Sequence, residues 1–174
     1  MRKNHQQILR IVLLPMFGAM LFVSKIAFEG LPNIHPVAML IMVFTLAYRK
    51  WALVPIYIYV ILFGAFYGFQ TWWYPHLYIW TILWAATMLL PKNLSDKKAA
   101  FIYPAVCGLH GFLYGILWSP FQALFYGFTF EQTLAWIGTG LTFDIRHGIS
   151  NICMGLLILP LSKLLRRENE KRGL

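Results

Sequence analysis

Apolar residues run along this chain in long blocks, and the breaks between blocks fall at lysines, arginines and prolines. The blocks cover about 11–28, interrupted by Lys25, then 31–48, 51–69, 77–91, 99–118 and 144–165. Arg49-Lys50 separate the second from the third, and an aromatic stretch, 70–76, follows the third. Pro91 and the polar residues 92–98 divide the fourth from the fifth. A helix rises 1.5 Å per residue, so about 20 residues cross the hydrocarbon of a bilayer. Shorter blocks need interfacial flanks or local thinning. The pattern predicts an all-α membrane protein, a six-transmembrane-helix bundle forming one domain over residues 1–174.

Helix punctuation agrees with these blocks. Pro32 and Pro36 stand where the second helix should begin, and Pro75 precedes the fourth. Ser95 before Asp96 reads as an N-cap for the fifth. Ser119-Pro120-Phe121-Gln122 has a capping Ser, a Pro at the first helical position and Gln at the third. Thr129-Phe130-Glu131-Gln132 repeats that logic. The spacing therefore predicts one or two short helices in the fifth, outer loop, residues 119–142.

Composition removes whole classes. The chain is 59% apolar and 12% charged, against about 45–50% and about 25% in ordinary soluble domains. Disordered tails, nucleic-acid modules and secreted disulfide scaffolds do not fit. The net charge of +9 then needs a place. Thirteen of the 15 cations fall at the termini and at the 49–50 and 92–98 breaks, with three carboxylates beside them, a net of +10. Lys25 and Arg146 against Glu29, Glu131 and Asp144 leave −1 for the opposite side. The positive-inside rule puts both termini in the cytoplasm. The basic excess is thereby explained without nucleic acid. Met1-Arg2-Lys3 before an apolar run has the look of a signal peptide, but no small-x-small site follows and Lys25 occupies −3 from Ala27, so an uncleaved first span is expected. Cys107 and Cys153 fall inside predicted helices and read as apolar packers.

Candidate chemistry is concentrated on the outer half. Lys25 and Glu29, four apart, read either as an ion pair marking a helix end or as cavity-lining groups. Asp144, His147 and Asn151 share one helical face, where interhelical hydrogen bonding and a binding site are both open readings. Trp72, Trp73, Tyr74, Tyr78 and Trp80 cluster after the third block, and Phe121, Phe125, Tyr126, Phe128, Phe130 and Trp136 crowd the fifth loop. An interfacial belt explains many of them, but the inner side is poorer in aromatics, which favours an outer pocket for a flat, partly apolar ligand. His35, His76 and His110 stand isolated. Gly64-x-x-x-Gly68 and Gly111-x-x-x-Gly115 predict close helix packing. Enzyme signatures fail: there is no HExxH and no Walker A loop. Gly148-Ile149-Ser150 and Leu109-His110-Gly111 only faintly resemble an intramembrane serine hydrolase, with Asn151 where that family has glycine and the helix order reversed. No catalytic residue, resident metal or intrinsic cofactor is assigned.

The stretch Phe143-Asp144-Ile145-Arg146-His147-Gly148-Ile149-Ser150-Asn151, followed by Leu159-Pro160-Leu161 and Lys163-Leu164-Leu165, is similar to the D-x-x-H-x-x-x-N start and P-L-x-x-L-L end of the last helix in energy-coupling factor (ECF) S components. The whole layout resembles that family. The resemblance implies a substrate-binding subunit of an ECF-type ABC transporter in a bacterial cytoplasmic membrane. It captures a vitamin outside, while a transmembrane scaffold subunit and two cytoplasmic ATPases, which alone use ATP, drive uptake. It places the ligand against the loops after the first, third and fifth helices, here Glu29–His35, Gln70–His76 and Ser119–Thr142. The residues implied are Lys25, Glu29, His35, Trp72, Trp73, Tyr74, Tyr78, Tyr126, Trp136, Asp144, Arg146, His147 and Asn151. Scaffold contact is implied at Gly18 and Ala19, although the A-x-x-x-A pattern is not kept. Cobalamin or a related corrinoid is the first ligand expected, with pantothenate, pyridoxine-type vitamins and a thiamin precursor as alternatives, and a stand-alone channel or transporter as the alternative function.

Overall fold

The computed structural model describes residues 2–172, with side chains from Gln7 onward, so Met1 of the signal-like start lies outside the described residues. Among the described residues the secondary structure is helical, with no strand. The elements are α1 (Arg2–Ala27), α2 (Val37–Tyr48), a 3-10 turn (Arg49–Ala52), α3 (Leu53–Tyr67), a second 3-10 turn (Thr71–Trp73), α4 (His76–Leu89), α5 (Asp96–Phe112), α6 (Tyr114–Tyr126), α7 (Phe130–Gly155) and α8 (Ile158–Arg172).

By length and apolarity, three uninterrupted helical runs can cross a membrane: Gln7–Ala27, Val37–Tyr67 and Asp96–Tyr126. α7 with α8, bent by 48°, would make a fourth. Side-chain contacts show that the second run reverses direction. Tyr48, at the end of α2, bonds Asn169 of α8 at 2.9 Å, while His35, just before α2, packs on His147 of α7 at 5.2 Å. α2 therefore runs the same way as α7 and α8. α3 runs the other way: the carbonyl of Arg49 accepts from Trp84 Nε1 at 3.1 Å, and Phe63 meets His76 at the opposite end of α4, at 5.1 Å. Arg49 makes the reversal with φ 54° and ψ −121°, a left-handed backbone that a non-glycine residue rarely adopts. Its guanidinium donates to the Met88 carbonyl at 2.9 Å, tying the turn to the end of α4. α2 and α3 thus run in opposite directions, joined by the turn at Arg49.

α5 and α6 form one pass through a local irregularity at Leu113 (φ −91°, ψ 3°). The helix start expected at Ser119-Pro120 is not there; both residues lie inside α6. Pro120 has no N–H to give to the Ile116 carbonyl four residues back, and the Ser119 hydroxyl takes its place at 2.9 Å. The second capping motif does start a helix. Thr129 accepts from Gln132 N while Gln132 returns a bond to Thr129 N at 2.8 Å, a complete capping box. α7 consequently begins at Phe130, ahead of the apolar block at 144–165, because the cap precedes the apolar stretch by more than three turns. The bend after Gly155 follows from Pro160, which cannot donate to Leu156.

α7 lies close along α5 because glycines line both surfaces. A Cβ on Gly111 would stand 2.9 Å from Gly148 Cα, and one on Gly155 would stand 2.7 Å from Pro104 Cα. Trp80, Tyr59, Phe44, Ile41 and Met42 fill the centre and are buried. Ile11, Ile61, Phe66, Leu109, Ile149 and Leu156 are exposed around the outside. Apolar surface spread this widely is unlike that of a water-soluble monomer and suits a bilayer.

Candidate functional site

Four of the five histidines converge from separate elements. His35 comes from the loop before α2, His76 opens α4, His110 lies on α5 and His147 on α7. All four are buried. Tyr114 sits among them, with its ring 4.8 Å from His147 and 6.0 Å from His110, and its hydroxyl 3.5 Å from His76 Nε2. Trp80 packs on His110 at 5.6 Å, Trp118 on His76 at 5.1 Å, and Trp72 on His76 at 6.1 Å. Helical spacing creates this arrangement: His110, Tyr114 and Trp118 recur every four residues, as do His76 and Trp80.

Polar atoms of this chamber are left without partners. His35 Nδ1, His76 Nδ1, Trp80 Nε1, His110 Nδ1, His147 Nε2 and Asn151 Oδ1 are buried and make no hydrogen bond among the described residues. Leaving one such group unsatisfied costs about 1–3 kcal/mol, and folded proteins contain few of them. Their concentration in one place marks this cluster as the candidate functional site. No three His, Cys, Asp or Glu side chains among the described residues are grouped as metal ligands.

Asp144 forms the edge of the chamber. It is buried, and both of its carboxylate oxygens accept from the Gly115 amide at 3.1 Å. Beside it opens a cavity of about 260 Å³ lined by Asn33, Tyr114, Gly115, Trp118, Trp136, Gly140, Phe143 and Asp144. Asn33, at φ 60°, donates to the Phe143 carbonyl at 3.3 Å, which pins the 30–36 loop to α7 at the mouth. Tyr114 lines this cavity and also packs on His110 and His147, so its ring stands between the cavity and the histidines.

The sequence-derived candidates divide on this geometry. Lys25 is half-buried on α1, within electrostatic reach of His35, His76 and His147. His35, Trp72, Asp144, His147 and Asn151 border the chamber, Asn151 also donating to the Cys107 carbonyl at 3.2 Å, and Trp136 lies at the mouth. Glu29 is exposed, accepting from the Tyr67 hydroxyl at 2.8 Å and forming no ion pair with Lys25. Trp73 donates to the Val60 carbonyl at 2.8 Å and Tyr78 to the Leu117 carbonyl at 2.9 Å, so their polar ends serve the fold. Tyr74 stacks on Phe121 at 5.7 Å, and Tyr126 donates to Thr71 at 3.2 Å; both are exposed. Arg146 points away, over the Phe143 ring at 6.0 Å. Gly18 is covered by Ile58 of α3, and Ala19 is exposed.

His76, His110, Tyr114, Trp80 and Trp118 were not among the candidates. Their four-residue spacing was a readable signal, but each histidine taken singly looks like an ordinary core residue. Compared with protein-family models, curated proteins and solved structures, the chain has no significant match.

Proposed function

We propose that this protein is the ligand-capturing membrane subunit of a vitamin uptake system of the ECF type, with six membrane spans and both termini in the cytoplasm. The observation that carries the reading is the buried histidine–aromatic cluster with its unpartnered polar atoms, next to a cavity beside Asp144 with which it shares Tyr114 and Trp118. That cavity opens at the end of the bundle opposite Arg49, Lys163 and Arg166, the basic end that the positive-inside rule assigns to the cytoplasm. On this reading a scaffold subunit and two ATPases supply the energy for uptake.

Stacking surfaces from Tyr114 and Trp118, with hydrogen-bonding atoms between them, suit a flat nitrogen heterocycle. The pyridoxine-type vitamins and a thiamin precursor match that description. A corrinoid is the less well supported ligand, because it is far larger than a cavity of about 260 Å³. Capture is favoured over hydrolysis by Ser150, whose hydroxyl is buried and bonds no imidazole among the described residues.

The test is to purify the protein from cells grown in rich medium and identify co-purifying small molecules by mass spectrometry, then measure binding of each vitamin class. A heterocyclic vitamin bound stoichiometrically is expected. Failure of every class to bind, or uptake into liposomes by the chain alone, overturns the reading.

A further inference from the structure

The basic end of the bundle carries a second cavity, of about 240 Å³, lined by Arg10, Ala47, Tyr48, Arg49, Trp51, Arg166, Asn169 and Glu170. Three guanidiniums reach it from three different elements: α1, the α2–α3 turn and α8. Arg49 and Arg166 each give one donor to a helix-terminal carbonyl, Met88 and Leu46, and keep their remaining N–H groups. Arg10 makes no hydrogen bond or ion pair to any described residue and lies 5.5 Å over the Trp51 ring. Glu170 is the one carboxylate of the lining, so the cavity keeps an excess of positive charge.

What singles out this cavity is its neighbour. A groove of about 430 Å³, lined by Gln7, Arg10, Ile11 and Trp51, shares Arg10 and Trp51 with it. Ile8 and Ile11 on α1, and Val54 one turn beyond Trp51 on α3, add exposed apolar surface along the same two helices. A guanidinium-lined cup that opens sideways onto an apolar channel matches a molecule with a phosphate at one end and hydrocarbon at the other. Arginine forks suit phosphate oxygens, and tryptophan sits at the headgroup level.

We infer that Arg10, Arg49, Arg166 and Trp51 form a binding site for the phosphate headgroup of an anionic phospholipid in the cytoplasmic leaflet, with an acyl chain lying along Ile11. The site holds α1, the α2–α3 turn and α8 together at the end remote from the ligand chamber. It needs the bilayer and, for the choice of leaflet, the proposed orientation, and stands whether or not the vitamin reading does.

The test is native mass spectrometry of the purified full chain with phosphatidylglycerol or phosphatidylcholine, with and without excess inorganic phosphate. Preferential retention of phosphatidylglycerol is expected, weakened about fivefold for each guanidinium removed in Arg10→Gln and Arg10→Gln/Arg166→Gln. Lys97→Gln/Lys98→Gln, on the same basic side but away from the cavity, should leave retention unchanged. Arg10→Lys keeps the charge without the fork and should lose much of the preference. Equal retention of the two lipids, or equal loss in the Lys97/Lys98 variant, overturns the site; displacement by inorganic phosphate overturns the lipid assignment. Arg10→Gln removes no hydrogen bond among the described residues, so it tests the site even if the Arg166 variant fails to fold.

Discussion

Gly115 presents its amide to both carboxylate oxygens of Asp144, across the facing surfaces of α6 and α7. Only glycine leaves room for that carboxylate, because a Cβ at position 115 would occupy the place of Asp144 Oδ2. A hydrogen bond to a charged group contributes about 1.5–3 kcal/mol. Asp144→Ala should therefore lower stability by a few kcal/mol, read as thermal unfolding in detergent. Asp144→Asn keeps an acceptor for Gly115 and should unfold near the wild-type temperature while weakening ligand binding. An alanine variant as stable as wild type would remove Asp144 from any structural role.

His147 gives a sharper separation of fold from function. Its Nε2 is buried without a partner, and its ring meets His35 and Tyr114. Replacing an unpartnered buried polar group by an apolar one of similar shape is neutral or stabilising. His147→Phe should leave the unfolding temperature unchanged or raise it, yet reduce retention of the co-purifying molecule about tenfold or more, the loss of one hydrogen bond from a buried ligand group. Wild-type affinity in this variant would move the ligand out of the histidine chamber.

The start of α7 offers a pH-dependent test. Thr129 Oγ1 caps the helix and also donates to Glu131 at 2.8 Å. Thr129→Ala should cost about 1 kcal/mol of local stability, seen as faster amide exchange in the first turn of α7. The Glu131 carboxyl is held below its ordinary value of 4.5, first by a backbone N–H and then by the Thr129 hydroxyl. A depressed folded-state value means that the stabilisation is full above about 4.5 and is lost as pH falls through the folded value. Amide protection in this turn, taken relative to an unstructured peptide at the same pH, should fall below that point in wild type and stay nearly constant in Glu131→Gln.

Orientation can be read with thiol chemistry. Gly138, on α7 beyond the chamber, has open space around its Cα, and Lys92 lies in the exposed 90–95 connection. In a background with Cys107→Ala and Cys153→Ala, a membrane-impermeant maleimide added to intact cells should label Gly138→Cys and not Lys92→Cys. Lysis should make Lys92→Cys reactive. The reverse pattern would invert the proposed topology.

The apolar blocks of the sequence anticipated an all-helical chain with apolar helices, and Thr129-x-x-Gln132 anticipated the capping box, because both are local effects of hydrophobicity and hydrogen bonding over a few residues. Ser119-Pro120 misled for a local reason as well. Capping chemistry looks the same at a helix start and in a helix interior, and only the continuation from Leu113 through Ser119 distinguishes them. Asp144, His147 and Asn151 were legible as one face, but what that face meets was not.

The sequence by itself determined that this is an all-helical protein with apolar passes, a basic end and an aromatic, weakly charged opposite end. Only the tertiary structure decided that His35, His76, His110 and His147, spread over more than a hundred positions, share one chamber around Tyr114. It alone also decided that Trp73 and Tyr78 spend their polar ends on the fold. The physical reason is that periodicity tells which side of a helix is buried, whereas partners are chosen by close approach, here of α7 to α5 along glycines.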